Sequence, residues 1–521
     1  MMTILHLLTA LTLSPLAFSL DVDISSISSL RVSSSTLAFN VLSPYTANVS
    51  GTPPYVVGTL PPPIYWWHAG ATWGAIVDYW AYTSDDSYNP SITQALVAQA
   101  GSTGDLMPPE YRLSMGNDDI AFWAFGALGA LEYDLPFPNT TTLPVDSWLQ
   151  LADRVFNGMV SRWDTTSCSG GLKWQVYAEN AGYNYKNSVS NGGFFQIASR
   201  LARYTGNQTY FDWATRIWDW SWTTGLIDRQ TYSVYDGSDD TLNCRELDHT
   251  QWTYNPALFL GGAAYLYNAT NGSSLWGDRA LYLLSRANST FFTPFPNSTN
   301  ILYEQACELL PRQTGAEKDA EGGCNQDQLL FKGFLARWMG KASVLAPFLV
   351  PFTSPLLAAS ALGAAQSCSG FVPLPANRPS GPPASSPALL PGLGLNSTLC
   401  TQHFYTSSSY TTSLSQEGYF SNLTIGQKIG HHLSALEVLQ ANIPIVDTRT
   451  EEQGGPRRIR VAPGVTVAAA PSTSVVLPTA VPEPTGTGKQ SGAAGREVRL
   501  TLIYTWQWGW LGGCMVWGFF M

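Results

Sequence analysis

"DSWLQLADRVFNGMVSRW", residues 146–163, carries the clearest structural signal in the chain. Trp148, Ala152, Val155, Phe156, Met159 and Trp163 recur at three- and four-residue steps. That spacing lines one face of a helix with apolar side chains and leaves the other face polar. Similar segments begin near Ala71, Ile120, Gly193, Tyr210, Trp252, Leu275, Asp327, Pro355 and Gly430. Alternating strand patterns are scarce. Many helices of roughly 10–18 residues joined by polar loops predict an all-α domain. If the helices pair inward and outward, the result is an α/α toroid.

Composition narrows the function classes. Only 12% of the 521 residues are charged, 45% are hydrophobic, and 12% are aromatic, including 19 Trp and 24 Tyr. Most of these rings build a core. Some are expected to line a groove for flat-faced ligands such as sugars, because Trp and Tyr join an apolar face to a polar handle. The net charge of −10 leaves no broad basic face, which argues against a nucleic-acid partner. The one basic knot, Pro456 to Arg460, reads as solvated. No H-E-x-x-H, G-x-S-x-G, P-loop or CxxC pattern occurs, so neither a metal nor a cofactor is expected. His431 and His432 read as surface or helix-face residues rather than ligands.

The chain divides by composition. Residues 1–19 form an apolar run ending in Ala17-Phe18-Ser19, a secretory signal pattern, so the mature chain is expected to begin near Leu20. Residues 20–445 read as one globular unit, interrupted by a Pro-rich insertion at 370–398. Residues 446–494 are rich in Pro, Ala, Thr and Ser and read as a linker or stalk. Residues 495–521 form an apolar tail that fits a GPI-anchor signal or a carboxy-terminal membrane anchor. The expected location is the secretory pathway and then the cell surface, at the plasma membrane or wall.

Nine N-x-S/T sequons agree with secretion: Asn48, Asn139, Asn207, Asn268, Asn271, Asn288, Asn297, Asn396 and Asn422. So does an even set of six cysteines once Cys514 in the tail is set aside. Pairing of sequence neighbours predicts Cys168–Cys244, Cys307–Cys324 and Cys368–Cys400. The chain is expected to act as a monomer.

"MGNDDIAFWA", residues 115–124, carries the chemistry. Asp118 and Asp119 sit side by side where a polar turn runs into an apolar helical segment, with Asn117 as an N-cap candidate. The other two pairs, Asp85-Asp86 and Asp239-Asp240, read as solvated loop charge. Two readings of Asp118-Asp119 stand together. Acidic residues at a helix start are favoured by its dipole and need no function. Alternatively, glycoside hydrolysis needs two carboxyls in different protonation states. The dipole keeps one ionised, and its charge with apolar walls such as Phe122 and Trp123 raises the other.

Several long segments occur in order: "YWWHAGATWGAIVDYW" (65–80), "MGNDDIAFWA", "RWD…CSGGLKWQ" (162–175), "GYNYKNSVSNGGFFQIASRLARYTGN" (182–207), "VYDG" (234–237) and "QWTYNPALFLGGAAYLYN" (251–268). Together they resemble glycoside hydrolase family 76, the fungal endo-α-1,6-mannanases and related GPI-anchored wall proteins. The resemblance implies an (α/α)6 barrel and a retaining mechanism, with Asp118 as nucleophile and Asp119 as general acid/base. It suggests Asp78, Asn184, Tyr185, Asp236, Gln251, Tyr254 and Asn255 as sugar contacts, and Trp73 and Trp123 as stacking faces. It implies an α-1,6-mannan or GPI-glycan substrate, with wall glucan as acceptor if the enzyme transfers rather than hydrolyses. A carbohydrate-binding wall protein without turnover is the third reading. Ile120 stands where the resemblance leads to Gln, and residues 401–443 lack the Trp and D-G pair of the family pattern.

Overall fold

The computed structural model describes residues 20–139, 143–309, 323–373, 396–406 and 423–467. The expected signal peptide, most of the Pro-rich insertion, Asn422, Cys514 and the apolar tail lie outside the described residues.

Among the described residues twelve long helices follow one another: α1 Ile27–Leu42, α2 Trp66–Thr83, α3 Asn89–Ala98, α4 Asn117–Glu132, α5 Trp148–Ser161, α6 Ser188–Thr205, α7 Gln208–Thr224, α8 Tyr254–Ala269, α9 Ser274–Phe291, α10 Gln328–Leu345, α11 Val350–Gln366 and α12 Ile425–Gln440. The even-numbered helices touch in sequence, α2 to α4, α6, α8, α10, α12 and back to α2, and close a ring. Each odd-numbered helix packs outside that ring. This is an (α/α)6 barrel.

Burial explains the division. Outer helix α5 buries one stripe, Trp148, Leu151, Ala152, Val155, Phe156 and Met159. Inner helix α6 buries every residue from Ser188 to Arg203. A helix apolar on one side suits the rim, and one buried all round suits the ring. Close packing of the ring needs small residues at its contacts. A Cβ on Gly70 of α2 would come within 2.7 Å of the Trp123 ring of α4.

The inner helices run in one direction, so their N-termini gather at one mouth and their C-termini at the opposite base. The base half holds buried charge. Arg337 Nε and Lys341 Nζ each donate to Asp78 at 2.6 Å. Arg200 donates twice to Glu132, which also accepts from the Tyr265 hydroxyl. Burial pushes the Asp78 carboxyl up, but Arg337 and Lys341 outweigh it and hold it below the usual range. Asp78 is therefore a core ion-pair partner far down α2. It is not free to contact a sugar.

Three disulfides join Cys168 to Cys244, Cys307 to Cys324 and Cys368 to Cys400, the neighbour pairing expected from sequence. The last closes the base of a hairpin, β4 Cys368–Pro373 with β5 Asn396–Cys400. The Pro-rich insertion is thus carried between two paired strands. Among the sequons, Asn268 is engaged on both sides of its amide. Its Oδ1 accepts from Arg203 Nε at 2.8 Å and its Nδ2 donates to Leu345 O at 3.2 Å. A glycan on Nδ2 would displace the second bond, so this sequon is poorly placed for modification. Asn139, Asn207, Asn271, Asn288 and Asn297 are exposed.

The expected boundary at 445 is too early. Residues 447–467 form a strap across the base. Arg457 N donates to Ala81 O, Arg460 N to Glu132 O, and Ala462 N to Tyr204 O, at 2.8–2.9 Å. These carbonyls belong to the last turns of α2, α4 and α6. Arg203 donates to Ile459 O and Arg460 O, and the Arg457 guanidinium lies 4.1 Å from the Trp80 ring centroid. The basic knot is therefore docked. Two smaller readings also change. Asp240 is buried and ion-paired with Lys173, and His431 and His432 are buried on α12.

The strap makes a direct prediction. The five hydrogen bonds just named, at about 0.5–1.5 kcal/mol each, sum to about 2.5–7.5 kcal/mol. A chain ending at residue 446 should unfold at correspondingly lower denaturant than one ending at 467. Coincident unfolding curves would show the strap to be passive.

Candidate active site

The site begins with how α4 starts. Gly116 precedes it in an extended conformation, and Asp118 and Asp119 fill the first turn. Asn117 is thus the first helical residue rather than the cap, and Asp119 closes the turn by accepting Gly116 N–H on Oδ2 at 2.7 Å. Residues 174–176 run beside this start: Asn117 N donates to Trp174 O, and Val176 N to Met115 O. That pairing sets the Trp174 indole against the first turn of α4, where Nε1 donates to Asp118 Oδ2 at 3.0 Å. Asp118 Oδ1 is buried with no side-chain donor, and the backbone amides of Asp118 and Asp119 act on the carboxyl.

A small sheet supplies the next wall. β1 Tyr185–Asn187 pairs antiparallel with β2 Gly237–Asp239, which pairs with β3 Leu247–Asp248. The Cys168–Cys244 bridge and the Lys173–Asp240 ion pair tie together the two loops that carry this sheet. Asp236 sits just before β2. Its Oδ2 accepts from the Tyr185 hydroxyl at 2.9 Å, and its Oδ1 from Asn255 Nδ2 at 3.4 Å. Asn184, Tyr185, Asp236, Trp174, Tyr183 and Asp248 line a cavity of about 630 Å³.

Several expected contacts therefore meet: Asn184, Tyr185, Asp236 and Asn255 surround this cavity or bond to its lining. Tyr254 lies at the start of α8 with its ring stacked on Phe331, 3.9 Å between centroids. Gln251 is half-buried in the approach to α8. The two stacking faces are not there. Trp73 and Trp123 are fully buried, and their indole N–H groups donate to the Gly58 and Trp66 carbonyls. Both are ring-packing residues. Ile120, where the family pattern leads to Gln, is also fully buried.

Half-buried aromatic side chains at the mouth instead include Trp67, Trp174, Tyr183 and Tyr185, beside Trp252 and Tyr254 at the start of α8. Sequence reasoning passed over Trp67, His68, Trp174 and Asp327. Trp67 and His68 open α2 and bond to Asp327. Their signal was positional: each lies at or just before an inner-helix N-terminus, or in the loop paired with one.

Electrostatics separates the two aspartates. Burial raises the Asp118 carboxyl to about 7, and the charge of Asp236 adds to the effect. Burial and then Asp118 itself push Asp119 well above the usual carboxylate range, with Asp327 adding. Burial also raises Asp236. Such a pair holds a shared proton.

The model of glycosyl hydrolase family 76 matches residues 29–444, from α1 past the end of α12. The chain belongs to glycosyl hydrolase family 76. It is 41% identical over 372 residues to the mannan endo-1,6-alpha-mannosidase DCW1 of Candida glabrata, covering 71% of this chain and 78% of that relative. It is 42% identical over 353 residues to DCW1 of Saccharomyces cerevisiae, covering 68% and 73%. Among solved structures, Dfg5 from Chaetomium thermophilum in complex with glucosamine aligns with a TM-score of 0.66 at 32% identity, covering 85% of this chain and 97% of that one. An inactive variant of the α-1,6-mannanase GH76A of Salegentibacter sp., in complex with α-1,6-mannotriose, shares the fold with a TM-score of 0.55 at 16% identity, covering 82% and 100%. The strap at 447–467 lies beyond the part that matches family 76.

The raised carboxyls of this family 76 site have a thermodynamic signature. The folded chain keeps protons that the unfolded chain releases near pH 4. Between about pH 4 and 7 the native state binds more protons, so stability falls as pH rises through that window. Asp118→Asn removes one such group. It should raise the melting temperature at pH 7, and the gain should shrink toward pH 4. A gain independent of pH would contradict the raised Asp118 carboxyl.

Proposed function

We propose that this family 76 protein is a retaining glycosidase that cleaves α-1,6-mannosidic linkages within mannan or mannose-containing glycans of the fungal wall. Asp118 attacks the anomeric carbon and forms a glycosyl–enzyme ester. The glycosidic C–O bond breaks as Asp119 gives its proton to the leaving oxygen. Asp119 then takes a proton from the incoming hydroxyl, which attacks the same carbon and frees Asp118. The observation that carries this reading is the asymmetry of the pair. Asp118 has one oxygen held by Trp174 and the other without a side-chain donor, while Asp119 Oδ2 accepts the Gly116 amide at 2.7 Å and burial keeps a proton on the pair. Those states suit a nucleophile and an acid. The mannosidase names of relatives near 40% identity support the linkage.

The same intermediate admits a sugar hydroxyl in place of water, which gives the second reading: transfer of mannose-containing GPI glycans from wall proteins onto wall glucan. The half-buried aromatic rings around the mouth favour it, since a sugar acceptor needs apolar faces that water does not. We further propose that the chain works at the cell surface. Three disulfides suit an oxidising compartment, and the apolar tail fits a GPI signal.

Substitution separates the roles. Asp118→Asn should form no glycosyl–enzyme with any donor. Asp119→Asn should lose about 10²–10⁴-fold on α-1,6-mannooligosaccharides. It should recover much of that loss on a mannosyl fluoride, whose leaving group needs no proton. Mass spectrometry of a trapped intermediate should place the label on Asp118. Equal residual activity of both variants on both donors would overturn the assignment.

A further inference from the structure

Asp327 has no part in the chemistry above, yet it is built into the mouth with care. It immediately precedes α10, the inner helix that faces α4 across the ring. Its Oδ1 accepts from His68 Nε2 at 2.8 Å and from Trp67 Nε1 at 3.1 Å. Gln326 Nε2 lies 3.4 Å from His68 Nδ1 and donates to it, which places the ring proton on Nε2, toward Asp327. His68 is only 1% exposed, so it serves the fold and cannot itself reach a ligand. The Asp327 side chain keeps 35% of its surface open. Among the described residues no side chain donates to its Oδ2. Trp67 is half-buried, with its ring 5.0 Å from Phe122, which lies one turn beyond Asp119 on α4.

Two carboxylates thus flank the catalytic pair from opposite sides. Asp236, between α6 and α8, acts on Asp118. Asp327, between α10 and α2, acts on Asp119. In a retaining cleavage the nucleophile faces the sugar that is kept and the acid faces the sugar that leaves. A fixed carboxylate with a free oxygen, next to an aromatic face, is what a sugar ring with hydroxyl donors requires.

We propose that Asp327 and Trp67 form the subsite for the leaving sugar, and then for the incoming acceptor sugar, on the Asp119 side of the scissile bond. This rests on the retaining reading above. Asp327 Oδ2 accepts a hydroxyl of that sugar, and Trp67 offers it a face. The residue then decides how well a sugar competes with water for the glycosyl–enzyme.

The test uses the full chain and α-1,6-mannobiosyl fluoride as donor, with α-1,6-mannobiose added as acceptor. In Asp327→Ala the acceptor concentration giving half-maximal transfer should rise about 10–100-fold, the loss of one charged hydrogen bond. The ratio of transfer to hydrolysis at a fixed acceptor concentration should fall about 10-fold or more, whatever Asp327 contributes to the hydrolysis rate through Asp119. Asp327→Asn keeps the volume and an acceptor for Trp67 and His68, and should shift the acceptor response in the same direction. An equal fall in hydrolysis and transfer would mean that Asp327 acts through Asp119 or the fold, and would overturn the subsite. Unchanged acceptor saturation would overturn it too. If the wild-type chain turns over no mannosyl donor, the retaining reading fails by itself. Calorimetric binding of α-1,6-mannotriose then still reads the subsite: weaker binding to Asp327→Ala upholds a sugar contact there, and equal binding removes it.

Discussion

Helix polarity organises this molecule. Six helices are buried on nearly every side, and each must end with backbone groups that no helical partner satisfies. Because all six run the same way, the free N–H groups collect at the mouth and the free carbonyls at the base. The mouth accordingly hosts Asp118, Asp119 and Asp327, each in or just before the first turn of an inner helix. The base hosts Arg200, Arg337 and Lys341, together with a strap whose amides bond the last carbonyls of α2, α4 and α6. Carboxyls at the helix starts and donors at the helix ends are placements that the helix dipole favours. The site is where this arrangement leaves a gap in the packing.

The gap is costly to keep. A carboxyl buried without an ion-pair partner destabilises the fold, and among the described residues Asp118 is one. The surrounding structure holds it in place: Trp174 is positioned by the strand-like pairing at Met115–Asn117, and that segment is tied in turn to a disulfide-bonded rim. Stability invested in the rim is what allows two like charges to stay adjacent. The same logic places the ion pairs of Asp78 and Glu132 away from the mouth, where full pairing leaves them no capacity for ligand.

Much of this was legible from the chain alone. Period-3.6 patterning gave the helices, the order of long motifs gave the barrel, and the doubled aspartate marked the turn. The failures have physical causes. α1, "ISSLRVSSSTLAFNVL", is rich in serine and hides its buried Leu30, Leu37 and Val41. α3 is short and opens with Pro90. Trp73 and Trp123 looked like sugar platforms because an inner helix is apolar all round, so periodicity cannot say which ring faces a groove. Trp67, six residues before Trp73 on the same helix, escaped for the same reason. The strap was misjudged because its hold is made by backbone amides, which leave no trace in side-chain composition.

The strap also fixes a direction. Ala462 and Val465 lie against the end of α6, at Tyr204 and Gly206. The opposite end of that 18-residue helix, about 27 Å away at 1.5 Å per residue, belongs to the mouth. Arg31, one turn into α1, bonds Tyr82 O at the end of α2 and the strap at Asp447 and Gly454, so the first helix also starts on the base side. Whatever holds the chain beyond the strap would therefore turn the opening away from itself.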